Sequence, residues 1–326
     1  MEALEARVGE AGAFLGRVVD EVERVVVGQR ELVESLLLGL LADGHVLLEG
    51  LPGLAKSLTV STLASALGCS HRRIQFTPDL LPSDLLGTQV FQPASGTWSV
   101  REGPVFAQIV LADEINRAPA KVQSALLEAM QERTVTLAGE THVLPSPFLV
   151  LATQNPVELE GTYPLPEAQI DRFLFKVVVT YPSREAEHQV LRRMMDVTRV
   201  PKASPVATPE DVLAARRVLD EVYVDDRLLT YVTDLLVASR DPTAAGLPDL
   251  KPLILYGASP RAGIALVRAA RARAFLDGRA YVSPQDVKSV GLEVLRHRVL
   301  TTYEAEAEGV TGEDVVTRLF DHVPIP

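Results

Sequence analysis

The sequence predicts an α/β fold, in which a parallel sheet with two β-hairpin insertions is followed by a smaller, all-α domain. Short apolar runs alternate with helical patterns over residues 45–180, as in sheets whose parallel strands are covered on both faces. Residues 87–103 and 134–143 alternate in the manner of hairpins. Only helical periodicity remains afterwards, so we expect an α/β domain over residues 1–180 and a helical lid over residues 181–326.

Four apolar runs are the predicted strands of the parallel sheet, and they cover residues 46–48, 108–112, 148–153 and 174–179. Between the second and third runs, apolar residues recur at a spacing that lines one face of a helix. Pro119 suits the first turn of that helix. The apolar face consists of Val122, Ala125, Leu126, Ala129 and Met130.

Three pairs of residues predict helix starts in the second domain. At 208–209, 259–260 and 283–284 a hydroxyl residue precedes a proline. A hydroxyl N-cap followed by proline at the first helical position is typical of a helix N-terminus. We therefore expect the lid to be built from helices.

Composition argues for a globular protein whose main partner is not nucleic acid. The 326 residues are 47% hydrophobic and 23% charged, with a net charge of −11. Binding to phosphate backbones needs a basic face, which such a balance disfavours. Two basic clusters, one at His71, Arg72 and Arg73 and one at residues 268–273, are interpreted as solvated helix edges.

The sequence favours a cytoplasmic location. A single cysteine, Cys69, allows no intrachain disulfide, as in reducing compartments. The apolar runs are far shorter than the roughly 18 residues of a membrane-spanning helix. The chain begins with an acidic helical pattern instead of the basic start and apolar core of an export signal.

A glycine-rich turn after the first predicted strand is typical of a phosphate-binding loop. Its backbone N–H groups and those of the next helix would face phosphate oxygens, Lys56 would reach the terminal phosphates, and Ser57 would reach Mg²⁺. At Ala55 the strict pattern has glycine, so a positive φ there would cost stability, with an effect on nucleotide affinity that the sequence leaves open. The alternative is an ordinary Gly-Pro turn. The turn consists of Gly50, Leu51, Pro52, Gly53, Leu54, Ala55, Lys56 and Ser57, and Leu58 follows in the helix.

Polar residues follow the second and third predicted strands. A carboxylate at the carboxyl end of such a strand can hold the water shell of Mg²⁺, and its neighbour can polarise an attacking water. We assign the first role to Asp113 and the second to Glu114; without the upstream loop, two acids capping the next helix would be the simpler interpretation. Asn155 lies beside this pair and can orient a water or touch a γ-phosphate, although asparagine before proline is equally a common turn former.

Three segments, residues 48–57, 111–132 and 149–173, together resemble the MoxR branch of AAA+ ATPases. The resemblance implies a P-loop ATPase that binds ATP and Mg²⁺ between the α/β domain and the lid, and it implies that alanine is tolerated at position 55. The implied metal ligands are Ser57 and Asp113. The implied nucleotide-binding residues are Gly28, Gln29, Gly50, Pro52, Gly53, Leu54, Ala55, Lys56, Ser57 and Leu58.

The resemblance also implies roles for polar residues outside the loop. Asn155 resembles the polar sensor of the fold, and Gly28 and Gln29 resemble the segment that lies against the adenine. Arg172 resembles the arginine finger that acts on the ATP of a neighbouring subunit, with a structural arginine paired to a nearby carboxylate as the alternative. Arg261 resembles the lid sensor of the γ-phosphate. A cation in the first turn of a helix is unfavourable with respect to the helix dipole. A nearby anion would account for an arginine at position 261, although solvation of its side chain alone would account for it as well.

The function implied by the resemblance is a chaperone-like motor that remodels or activates partner proteins. Similar proteins form hexameric rings, and their partners often contain a von Willebrand factor A domain; the two hairpins are the surfaces expected to contact a partner. A AAA+ motor acting on nucleic acid would share the ATP site, but it should carry basic residues on its hairpins, and residues 90–100 have no charge. A non-hydrolysing nucleotide-dependent scaffold would lack the role given to Glu114.

Overall fold

A computed structural model describes residues 2–94, 96–155, 161–195 and 201–326. Ser95, at the turn of the first predicted hairpin, and residues 156–160 of the third motif lie outside this description. Contacts divide the chain into two compact units. The α/β unit comprises Phe14–Phe173 and Val177–Leu213, and the helical unit comprises Met1–Ala13, Leu174–Lys176 and Ala214–Pro326.

The described residues form strands and helices in the following order along the chain. The strands are β1 (Val46–Glu49), β2 (His71–Gln75), β3 (Gly87–Gln92), β4 (Thr97–Glu102), β5 (Ile109–Asp113), β6 (Thr134–Leu137), β7 (Glu140–Val143), β8 (Leu149–Gln154), β9 (Phe175–Val178), β10 (Ile254–Tyr256) and β11 (Leu300–Thr301). The helices are α1 (Glu2–Val25), α2 (Arg30–Leu41), α3 (Lys56–Ala66), α4 (Pro82–Leu86), α5 (Ala120–Glu132), α6 (Glu167–Ile170), α7 (Arg184–Met194), α8 (Pro209–Leu219), α9 (Asp226–Arg240), α10 (Pro260–Leu276), α11 (Pro284–Leu295), α12 (Tyr303–Ala307) and α13 (Gly312–His322).

A five-stranded parallel sheet in the order β2-β5-β8-β1-β9 confirms the predicted fold class. Val110 of β5 lies opposite Val150 of β8, and Leu47 of β1 lies opposite Ala152 of β8. Side chains on these central strands are buried whichever way they point, which is why their sequences read as continuous apolar runs. Leu126 of α5 belongs to the core that covers one face of the sheet.

The edge strand β2 was interpreted wrongly from the sequence. His71, Arg72 and Arg73 lie on this strand instead of at a helix edge, and β2 pairs in parallel with β5. Ile74 is its one buried residue. An edge strand with a single buried side chain has no apolar run, so its sequence resembles a solvated surface.

Both predicted hairpins are present in the α/β unit. In the first, β3 pairs antiparallel with β4, and the rings of Phe91 and Trp98 lie opposite each other with their centroids 5.2 Å apart. Trp98 is 62% exposed, whereas Val100, on the same face nearer the root, packs against the core. In the second hairpin, β6 pairs with β7, and Val135 is buried.

The second unit is mainly helical but is not all-α. The pair β10–β11 is antiparallel, and such two- and three-residue strands are too short to give a sequence pattern. The helix start predicted at 283–284 is present, because the Ser283 side chain accepts the backbone N–H of Asp286 and the Asp286 carboxylate accepts that of Ser283. Contacts group residues 177–213 with the sheet, whereas the predicted boundary after residue 180, which stays a prediction, would separate most of them from it.

Among the helices of the described residues, none has both the length and the apolarity to cross a membrane.

Candidate functional site

The predicted phosphate loop joins β1 to α3 through a backbone that comes very close to Val179, the residue after β9. A Cβ atom on Gly50 would lie 2.7 Å from the carbonyl oxygen of Val179, so only glycine fits there without displacing backbone. The loop then turns through Gly53, whose φ is +87°. These two positions let the chain double back from the strand into the helix N-terminus.

Ala55 has the left-handed backbone that the loop pattern normally reserves for glycine. Its φ is 56° and its ψ is 17°, at the N-cap of α3. A side chain in this region costs roughly 1–2 kcal/mol. The Ala55 carbonyl accepts two hydrogen bonds from Thr59, from the backbone N–H over 2.8 Å and from the hydroxyl over 3.0 Å. The first turn of the helix therefore holds the strained residue in place.

Lys56 folds back over the loop. Its Nζ donates a hydrogen bond to the carbonyl oxygen of Gly50 over 2.6 Å. Burial lowers the pKa of this amine, and the charges of Asp113 and Glu114 offset part of that decrease. An anion beside Lys56 would favour its charged form in the same way.

The hydroxyl group of Thr153 makes hydrogen bonds to both of the predicted acidic residues, Asp113 and Glu114. Thr153, on the neighbouring strand β8, donates to Oδ1 of Asp113 over 2.6 Å and accepts the backbone N–H of Glu114 over 2.8 Å. Glu114 itself has φ 56° and ψ 53°, so the chain turns sharply immediately after β5. The turn separates the two carboxylates, and each can therefore contact different partners.

Arg73 and Gln75 are site residues that the sequence did not reveal. Arg73 donates to Oδ2 of Asp113 from Nε over 2.9 Å and from a terminal nitrogen over 2.7 Å. The same terminal nitrogen donates to Oε1 of Gln75 over 2.9 Å, and Nε2 of Gln75 donates to Oε2 of Glu114 over 2.7 Å. Arg117 also donates to Oε2 of Glu114, over 3.1 Å. The one available signal was the basic cluster at the start of β2.

These side chains surround a cavity of about 360 Å³ in the α/β unit. Asn155, only 9% exposed, lines it from the end of β8, beside Asp113 and Glu114. The full lining is Pro52, Gly53, Leu54, Ala55, Lys56, Ser57, Leu58, Arg73, Gln75, Asp113, Glu114, Thr153, Gln154 and Asn155. Most of the predicted loop and both acids therefore meet at one place.

The donors around the cavity fit Mg²⁺ and do not fit a tightly coordinated transition metal. The Ser57 hydroxyl and the Asp113 carboxylate are oxygen ligands, which Mg²⁺ prefers while keeping several of its waters. Within the part of the chain that the structure describes, no three residues of histidine, cysteine, aspartate or glutamate cluster as a metal site. The arrangement suits a metal held mainly by phosphates and water.

Three predicted groups are not among the residues that line this cavity. Gly28, with φ +72°, lies against α7, where an added Cβ would be 2.6 Å from the Cβ of Ala186, and Gln29 is the N-cap of α2. Arg172 donates to the carbonyl oxygen of Leu127 over 3.1 Å. Arg261 belongs to the helical unit, in the first turn of α10, and is exposed. The roles assigned to these residues remain predictions.

Comparison with known proteins matches both parts of the chain to one family. The model of the ATPase family associated with various cellular activities (AAA) matches residues 45–175, and an AAA lid domain matches residues 250–319. The chain is 50% identical to Chaperone MoxR1 of Mycobacterium tuberculosis over 96% of this chain and 82% of that protein. It is 44% identical to the uncharacterized protein YeaC of Bacillus subtilis, over 96% of this chain and 95% of that one.

A solved structure gives the same result. The crystal structure of a candidate ATPase from Cytophaga hutchinsonii superposes with a TM-score of 0.94 at 47% identity, covering 100% of this chain and 98% of that one. The predicted family is confirmed by these matches. The chain therefore belongs to the MoxR family of AAA+ ATPases, which are ATP-hydrolysing enzymes.

Proposed function

We propose that the cavity binds the phosphates of ATP together with Mg²⁺ and hydrolyses the terminal phosphate. The observation that carries this proposal is the meeting of Lys56, at a helix N-terminus, with Asp113 and Glu114 in one cavity. A lysine and free backbone N–H groups bind an anion, whereas two carboxylates beside them bind a cation and a polarised water. Mg-ATP has both charges in one ligand.

Each residue then has a distinct role. Lys56 exchanges the Gly50 carbonyl for a phosphate oxygen, and the N–H groups at the start of α3 bind the other oxygens. Ser57 and Asp113 hold Mg²⁺, which when bound neutralises the charge that accumulates on the phosphates. Asn155 orients the attacking water from the neighbouring strand.

Glu114 accepts the proton of that water. In this structure its Oε2 is already hydrogen-bonded to Gln75 and Arg117. Those bonds occupy Oε2, one of the two carboxylate oxygens that could take the proton. Proton transfer to Oε2 therefore requires at least one of these partners to be exchanged for water.

The proposed use of ATP is chaperone-like remodelling or activation of a partner protein by a homohexameric ring in the cytoplasm. Arg172 would complete the neighbour's site in trans, which agrees with its position outside the lining of its own cavity, and Arg261 would report the γ-phosphate from the lid. The aromatic pair Phe91 and Trp98 is exposed on the part of the first hairpin that carries no charge, residues 90–100, and is suited to protein contact. A partner with a von Willebrand factor A domain is proposed on family resemblance alone.

Two variants test the assignment because binding and chemistry should separate. Lys56→Ala should lose ATP affinity, whereas Glu114→Gln should bind ATP and hydrolyse it very slowly. Lys121→Ala and Glu128→Gln, both exposed on α5, make the same changes outside the cavity and serve as controls. Equal loss of ATP binding in Lys56→Ala and Glu114→Gln would overturn the assignment of roles.

The same assay separates the rival classes. A nucleic-acid motor should hydrolyse ATP faster when DNA is added, and a scaffold should bind ATP without turnover. We expect steady hydrolysis that DNA does not change, because the first hairpin carries no charge over residues 90–100.

A further inference from the structure

Asp113, the carboxylate assigned to Mg²⁺, already has a cation beside it. Two nitrogens of Arg73 donate to its Oδ2, over 2.9 and 2.7 Å. Its Oδ1 accepts from the Thr153 hydroxyl over 2.6 Å. Both oxygens of the carboxylate therefore have partners, and the partner at Oδ2 carries a full positive charge.

This ion pair can exchange at small cost. The Arg73 side chain is 53% exposed, although that of Asp113 is only 14% exposed. Water solvates a released guanidinium at such a position, so release costs little on the Arg73 side, and an incoming metal would replace the positive charge beside Asp113.

We infer that Arg73 competes with Mg²⁺ for Asp113 and thereby sets the Mg²⁺ concentration at which nucleotide binds. The inference rests on the proposed function, in which Asp113 holds the metal. A divalent cation and a guanidinium repel each other at contact distance, so both cannot occupy the Oδ2 side of one carboxylate. A metal that approaches Oδ2, directly or through one of its waters, therefore has to displace Arg73.

Displacement of Arg73 is transmitted to Glu114 through Gln75. A guanidinium only donates hydrogen bonds, so Oε1 of Gln75 has to face Arg73 and Nε2 is directed at Glu114. When Arg73 leaves, the Gln75 amide loses the contact that fixes its orientation. Arg73 is in this sense a positioning residue: metal binding at Asp113 frees Glu114 from a fixed partner.

The test measures nucleotide binding, not hydrolysis. Fluorescent ADP (mant-ADP) is held at a fixed concentration while MgCl₂ is titrated, and a parallel sample in EDTA gives the affinity without metal. The midpoint in Mg²⁺ should fall about threefold to fivefold for Arg73→Met, the loss of one ion pair whose arginine is exposed. Arg72→Met is the matched control, because it removes the same charge from the adjacent residue, whose side chain points to the other face of β2; its midpoint should stay within about twofold of the wild type.

Each alternative result has a definite meaning. An unchanged midpoint in Arg73→Met overturns the inference and leaves the metal assignment intact. Weaker mant-ADP binding in EDTA overturns it also, because Arg73 would then bind phosphate. No Mg²⁺ dependence in the wild type overturns the metal assignment and this inference with it. Arg73→Lys keeps the positive charge but cannot make the bidentate contact, so its midpoint in Mg²⁺ should lie between those of the wild type and Arg73→Met. This variant replaces Arg73→Met if Arg73→Met does not fold.

Discussion

Replacing Ala55 by glycine should stabilise the protein. Ala55 has φ 56° and ψ 17°, where a side chain costs roughly 1–2 kcal/mol. Glycine also has more conformational freedom than alanine in the unfolded chain, and this lowers the expected stabilisation by about 0.4–1 kcal/mol. The net increase in the free energy of unfolding should therefore be about 0.5–1 kcal/mol. Such an increase raises the unfolding temperature by about 1–4 °C for a domain of this size.

Ala138→Gly is the matched control for this change. Ala138 has φ 53° at the turn between β6 and β7, and it is absent from the lining of the cavity. The same substitution in the same backbone region should give a similar increase in stability. Nucleotide binding should be unaffected by it.

Thermal unfolding and mant-ADP binding should be measured on both variants. Both hydrogen bonds to the Ala55 carbonyl come from Thr59 of the protein itself, so we expect φ to be the same in the free and bound loop. The strain is then equal in the free and the nucleotide-bound protein and does not change the free energy of binding. The affinity of Ala55→Gly for mant-ADP should therefore stay within about twofold of the wild type. If Ala138→Gly is stabilised and Ala55→Gly is not, the argument that Ala55 is strained is refuted.

Three further predictions concern the assembly and the helical unit. Arg172→Ala should bind ATP but hydrolyse it about 10³-fold more slowly or worse, and mixing it with Lys56→Ala should restore activity at interfaces that join an intact site to an intact finger; a co-assembled mixture that stays inactive contradicts action in trans. Light scattering of Glu114→Gln should give a larger mass with Mg-ATP than without it, because a ligand bound only by the assembly favours it, and an unchanged monomer mass argues against a ring. Burial raises the pKa of Asp286, but hydrogen bonds, chiefly from Arg279, outweigh it and keep that pKa below its usual value. Near neutral pH the free energy of unfolding should therefore be about 2 kcal/mol higher for the wild type than for Asp286→Asn, and this difference should shrink as pH falls below about 4. Urea unfolding at several pH values measures the difference, and a difference that does not shrink in acid contradicts the predicted lowering of the Asp286 pKa.

Local patterns predicted the centre of the sheet and most of the cavity. The central strands are enclosed on both faces, so burial alone makes their sequences apolar, and the bounds of β1, β5 and β8 lie within one residue of the predicted runs. The loop from Gly50 to Ser57 is continuous in sequence. Bonds such as those from Lys56 to Gly50 and from Thr59 to Ala55 join residues a few positions apart, so a local motif identifies the loop even though Gly50 also lies against the distant Val179.

Contacts between distant segments could not be predicted in this way. Arg73 and Asp113 are 40 residues apart, and their pairing depends on β2 being next to β5 in the sheet. A polar edge strand gives no apolar run, so neither the strand nor its neighbour could be inferred from a single sequence. The short strands β10 and β11 escaped prediction for a related reason, because their pairing joins residues far apart in the chain.

The strand order gives the two halves of the cavity different mechanical properties. The phosphate loop leaves β1, which is clamped between β8 and β9, whereas Arg73 and Gln75 stand on β2, which has one neighbour only. Movement or replacement of residues on β2 disturbs one ladder of hydrogen bonds, but any shift of β1 would disturb two. In the proposed site, phosphate recognition is thus anchored to a strand that is paired on both sides, and the response to Mg²⁺ is set from an edge strand that is paired on one. Engineering could therefore retune the response to magnesium at that edge without rebuilding the nucleotide cradle.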